Sequence, residues 1–163
     1  MPSSISRSLV GPHKLGTEPS LLEFPEAATQ TFITGDPLTL SSGKATILRA
    51  STGALTTETF LGFAEEDASG TTDDPVKVWN VGDEDILVLP VSAAGASQVT
   101  AQSQVGATGY GLYWDATNRI LSVNISDTTN RKVQIVGIVK SYPVGEAFGQ
   151  VYAKVLPAAR TIV

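Results

Sequence analysis

The side chains able to do chemistry are few. The chain has no cysteine, which excludes disulfides, thiolate nucleophiles, zinc fingers and iron–sulfur sites. Its one histidine, His13, lies in a proline-rich stretch. A Ser–His–acid relay needs an imidazole held rigidly beside the hydroxyl, and an arm histidine is badly placed for that. No Gly-x-Ser-x-Gly elbow occurs. Gly43-Lys44 is followed by Ala45, and Leu38 stands where a P-loop would have its first glycine, so the phosphate cradle is missing.

The carboxylates form three dense groups: Glu65-Glu66-Asp67, Asp73-Asp74 and Asp83-Glu84-Asp85. None has the alternating oxygens, central glycine and terminal glutamate of a calcium loop. A cation held between two groups, or a carboxylate pair for glycoside hydrolysis, would need contacts that spacing alone does not show. The plain expectation is solvated loops that keep strand edges soluble. Trp79 and Trp114 have sugar-stacking faces, but each sits among apolar neighbours in a strand-like run, which favours packing. We therefore expect no catalytic residue, no cofactor and no metal.

These residues must be positioned by short strands. The 163-residue chain is 42% hydrophobic and 17% charged, enough for one domain with a real core. From residue 31, Val, Ile, Thr and aromatic residues recur in runs of four to eight between turn clusters. We read strands at Thr31–Ile33, Leu38–Leu40, Lys44–Ala50, Thr59–Glu65, Val76–Asn80, Asp85–Ser92, Gly111–Trp114, Arg119–Asn124, Lys132–Lys140 and Gln150–Leu156. Asp115-Ala116-Thr117-Asn118 closes a hairpin. In Gln150–Leu156, Val151, Ala153 and Val155 share one side. Lys132–Lys140 reads as apolar on both faces, with Gly137 marking a bulge or bend. No long window has a 3.6-residue period; a helical turn or two fits only within Ala93–Val105. The expected fold is all-β, a small barrel or sandwich over residues 31–163.

Residues 1–30 differ. Pro2, Pro12, Pro19 and Pro25 forbid a long helix and favour extended chain, with a short helix at Pro19–Glu23 as the exception. The apolar residues come in islands: Leu9, Val10, Leu15, Leu21, Leu22 and Phe24. We read an extended N-terminal arm that lays these six onto a neighbouring subunit or another protein. Residues 1–30 contain no continuous apolar run of the secretory-signal kind.

The net charge of −5 lacks the basic field that nucleic acid or an anionic membrane surface requires. Charge is unevenly spread: −1 over residues 1–30, −7 over 31–98 and +3 over 99–163. Such halves can pair between copies of the chain.

Several segments together resemble the small β-rich decoration, or cement, proteins of tailed-phage heads. They are Phe32–Lys44 with its Gly35-Asp36-Pro37-Leu38, Leu61–Gly70 with Leu61-Gly62-Phe63-Ala64, Val105–Leu112, Asp127–Val133 and Val151–Ala158. The resemblance covers roughly residues 31–158 and leaves the arm unmatched. It implies a non-enzymatic structural protein on the outer surface of the virion capsid, synthesised in the host cytoplasm. The implied partners are the major capsid protein and further copies of the chain, as a homotrimer. Two other classes stay open from the residues alone: a carbohydrate- or host-surface-binding β-module using the tryptophans and acidic loops, and a small hydrolase of unfamiliar type.

Overall fold

The computed structural model describes residues 20–82, 84–92, 99–141 and 144–161. Among the described residues eleven strands run in chain order: β1 Ser20–Pro25, β2 Pro37–Ser41, β3 Lys44–Ile47, β4 Gly53–Ala54, β5 Gly62–Ala64, β6 Pro75–Asn80, β7 Leu87–Pro90, β8 Gly111–Asp115, β9 Ile120–Asn124, β10 Val133–Ile138 and β11 Gln150–Val155. The helical content among the described residues is two single 3-10 turns, Gln102–Gln104 and Pro157–Ala159. The first falls in the stretch expected to hold a helical turn; residues 93–98 of that stretch lie outside the described residues.

All ladders are antiparallel. A five-stranded sheet has the order β1-β6-β5-β2-β3. It curls until β3 meets the end of β1 through a single Glu26–Ala45 bridge. Its inner face buries Leu38, Ala45, Ala64, Val76 and Val78 around Phe32. Alternation sends Phe63 of β5 and Trp79 of β6 out of the opposite face, into a second and larger cluster. A Cβ on Gly62 would stand 2.0 Å from the Trp79 carbonyl oxygen, so glycine alone lets β5 lie this close to β6.

Two three-stranded sheets, β10-β11-β7 and β4-β8-β9, surround that second cluster. Single bridges at Val91–Val123 and Tyr110–Val133 stitch them together. The stitching stops short of continuous ladders. The fold is therefore all-β and sandwich-like, and the closed-barrel form of the expectation does not apply. Phe60 and Phe63 meet edge to face at 5.1 Å inside this core.

Several readings change in the structure. Thr31–Ile33 is irregular, because Asp36 draws the chain into a turn through the Ile33 N–H at 2.9 Å. Of the expected short helix at Pro19–Glu23, Pro19 lies outside the described residues and Ser20–Glu23 are strand: they belong to β1, paired residue for residue with β6 from Ser20–Asn80 to Pro25–Pro75. The expected arm thus contributes a strand to the sheet. The doubly apolar run Lys132–Lys140 has one apolar face. A bulge between Ile135 and Gly137 slips the register, so Val133, Ile135 and Ile138 all belong to the core side, and Val136, 37% exposed, is left outside.

Candidate functional site

Leucines on an edge strand define the surface that sequence reading pointed to. β1 takes β6 as its ladder partner and occupies one end of the sheet order. Leu22 and Phe24 stand opposite Val78 and Val76 and share the inner face. Leu21 stands opposite Trp79, which stands opposite Phe63. Each face therefore carries an apolar row that leaves the core and ends in solvent: Ala64–Val78–Leu22 and Phe63–Trp79–Leu21. The ends are exposed, Leu21 at 49% and Leu22 at 37%. Phe24 instead packs half-buried against the inner cluster. Of the six expected contact residues, Leu21 and Leu22 present open apolar surface, and Phe24 is used inward. Leu9, Val10 and Leu15 lie outside the described residues, as does His13.

The edge is flanked by charge. Glu23 pairs across the ladder with Lys77, whose Nζ reaches Glu66 at 3.9 Å. The acidic loop beside it holds itself in shape. Glu66 accepts the Lys77 N–H at 2.9 Å, and Asp67 accepts from the Thr34 N–H and hydroxyl at 2.8 and 3.0 Å. Glu26, only 1% exposed, accepts the N–H groups of Ser69 and Gly70, each at 2.8 Å. Asp85 likewise accepts the Gly82 N–H at 2.7 Å. Among the described residues, no three acidic or histidine side chains gather as a metal site. Asp83 lies outside them.

Trp114 is 2% exposed and offers no face for a sugar, and Trp79 is half-buried against the larger core. Among the described residues no helix is long and apolar enough to cross a membrane.

Among the described residues, four titrating groups are shifted by their surroundings. Burial pushes the Glu58 carboxyl up, but hydrogen bonds from backbone N–H groups and from Arg49, at 2.8 Å, outweigh it and hold it below the usual value. In Asp115, burial is outweighed by the Asn118 side chain and the Asn118 and Thr117 N–H groups. In Asp127 the same balance is struck by Asn130 and Thr129, with Lys132 adding attraction. Burial lowers Lys132, against the pull of Glu58 and Asp127. Its ammonium donates to the Glu58 carbonyl at 2.7 Å.

One apolar surface escaped sequence reading. A bridge between Val99 and Ala147 brings Val99 beside the loop that carries Val144 and Phe148, the three being 41%, 56% and 44% exposed. Phe148 has φ +56°, a left-handed backbone that a bulky residue rarely takes. No sequence signal marks it, since the strain comes from the loop fold.

No protein-family model matches the sequence, and neither a curated protein nor a solved structure does.

Proposed function

We propose that this protein is a non-enzymatic decoration protein that binds the outer surface of a phage head through the major capsid protein. The observation that carries the reading is the pair of exposed leucines, Leu21 and Leu22, one on each face of an edge strand. A monomer gains nothing from leaving two apolar rows open at a sheet edge, where unpaired strands invite association. The resemblance over residues 31–158 supplies the partner. Full burial of a leucine is worth about 1.5–3 kcal/mol, so two decide whether a modest interface holds. Assembly as a homotrimer belongs to the same reading, with the −7 segment of one copy facing the +3 segment of the next.

Co-sedimentation with purified expanded heads tests it. The chain is expected to saturate the heads, and a Leu21→Asp/Leu22→Asp variant to bind at least tenfold more weakly while melting within a few degrees of the parent. No binding by the parent chain would overturn the reading. Equal binding by the variant would move the contact off β1. Light scattering at micromolar concentration checks the trimer, and a monomeric mass would refute it.

A further inference from the structure

The ladder around β1 fixes which way its backbone groups point. The Glu26 N–H donates to the Asp74 carbonyl at 2.8 Å, which carries the β1–β6 register one pair beyond Pro25–Pro75. Hydrogen-bonded pairs alternate along an antiparallel ladder, so Phe24, Leu22 and Ser20 turn their N–H and C=O groups towards β6. β6 agrees. Lys77 accepts the Glu65 N–H at 2.9 Å and Val81 donates to Leu61 at 3.1 Å, both towards β5, which leaves Val76, Val78 and Asn80 to face β1. Leu21 and Glu23 therefore point the other way, out of the sheet edge. Ala27, in the same phase, finds the Ala45 carbonyl on β3 at 3.0 Å. Leu21 and Glu23 come before β3 closes that edge. Among the described residues, their outward backbone groups meet no partner.

Such an edge is complementary to itself. Two copies of β1 set antiparallel about a two-fold axis at Leu22 place Leu21 of each opposite Glu23 of the other. Both positions carry outward donors and acceptors, so each pair exchanges both its bonds. Leu22 meets its own copy between them, where opposed side chains come closest. The apolar row Ala64–Val78–Leu22 of one copy then runs on into the same row of the other. Moving the axis to Glu23 would oppose two carboxylates, and moving it to Leu21 would carry Glu23 past the start of β1. With the axis at Leu22, Glu23 keeps Lys77 of its own copy as its ladder neighbour.

We propose that β1 is a self-pairing edge: in the free protein the β1 strands of two copies join antiparallel about Leu22 and cover the exposed leucines until a head surface displaces the second copy. The inference rests on the reading of β1 as the head-binding edge. A short strand with two leucines per copy falls far below the roughly 800 Å2 per partner of a standard stable interface, so the pair is weak and reversible, as a displaceable cover must be. The threefold contact drawn from the charge of residues 31–98 and 99–163 leaves residues 20–25 available for this pairing.

The chain has no cysteine, so a single introduced one reports the geometry. In Leu22→Cys the paired Cα atoms would lie about 4.5 Å apart, within disulfide reach. In Glu23→Cys they would lie diagonally across the pair, at about 7–8 Å. Val136→Cys controls for random collision, since Val136 and Leu22 are equally exposed at 37%. With diamide as oxidant and the full chain at high micromolar concentration, Leu22→Cys is expected to form a disulfide dimer at least tenfold faster than either of the others. Adding Glu23→Pro to Leu22→Cys removes an outward N–H, leaves the β6 ladder intact and should slow that dimer several-fold. Equal rates for all three cysteine variants, or no effect of the proline, would overturn the pairing. Co-sedimentation separates it from the head-binding reading: the reduced Leu22→Cys chain is expected to bind heads, and the cross-linked dimer to bind at least tenfold more weakly. Slow cross-linking with heads still bound would overturn the pairing alone. Fast cross-linking with both forms bound equally would overturn the covering role and move the head contact off β1. Fast cross-linking with neither form bound would uphold the pairing and overturn the head-binding reading.

Discussion

The Arg119 guanidinium, at the end of the β8–β9 hairpin, meets the carboxylate of Asp36, 83 residues earlier in the turn before β2. Asp36 is fully buried and also accepts the Ile33 N–H, while Arg119 reaches on to the Thr31 carbonyl at 3.4 Å. The pair ties the turn entering the five-stranded sheet to a hairpin on the larger core. Arg119 makes this contact at φ +55°, a backbone cost that the ion pair offsets.

Arg119→Ala is therefore expected to destabilise the fold by about 3 kcal/mol, since it takes the cation away from a buried carboxylate. Arg119→Gly should lose less, by up to about 1 kcal/mol, because glycine takes the left-handed backbone freely. Urea unfolding reads both as shifts in midpoint at constant slope. A loss below about 1 kcal/mol for alanine would class the contact as an ordinary surface pair.

Glu26 makes a similar prediction for the acidic loop. Its carboxylate is the acceptor for Ser69 and Gly70 from a position that admits almost no water. Glu26→Ala leaves two N–H groups without that acceptor and should cost about 2–4 kcal/mol. Amide exchange at Ser69 and Gly70 is expected to accelerate more than at Val78. Uniform acceleration would mean that the loop opens only with global unfolding.

What sequence alone could read depended on how local the cause was. The β8–β9 hairpin was legible because Asp115 builds its own turn, accepting from Thr117 and Asn118 N–H groups at 3.0 Å. Gly137 announced the bulge in β10, and alternation announced the buried face of β11. β1 was missed as a strand because two flanking prolines and a leucine doublet carry no period; its partner β6 lies far along the chain. The leucines of the candidate edge were visible as residues, but their exposure follows from that pairing. Glu26 and the Asp36–Arg119 pair had no local signal, since each joins elements distant in sequence.

Stability should rise with pH at both extremes. Glu58, Asp115 and Asp127 titrate below their ordinary values of 4.5, 3.8 and 3.8 in the folded chain. Between the folded and ordinary values the unfolded chain binds more protons, so their stabilisation is complete above the ordinary values and is lost as pH falls through the folded ones. Lys132 also titrates below its ordinary 10.5, so the folded chain releases that proton first. Stability from this group accordingly grows as pH climbs from the folded value towards 10.5. Melting temperature against pH checks both limbs. Asp127→Asn should flatten the acid limb, and Lys132→Met the alkaline one; unchanged slopes would assign the dependence to other groups.

Two truncations separate attachment from folding. Removing residues 1–19 leaves β1 intact, together with Glu26 and the Phe24 contact on the inner cluster. That chain should melt within a few degrees of the parent, and any loss of head binding would then belong to the first nineteen residues, Leu9, Val10 and Leu15 among them. Removing residues 1–26 also takes away β1 and the buried Glu26 carboxylate, and it opens the β6 edge beside Val76 and Val78. Exposing this apolar surface and orphaning the loop should lower the melting temperature by ten degrees or more, since about 1 kcal/mol already moves a domain of this size by several degrees. Equal melting of the two truncated chains would show that β1 adds nothing to the sheet it borders. Its leucines would then be attachment surface alone.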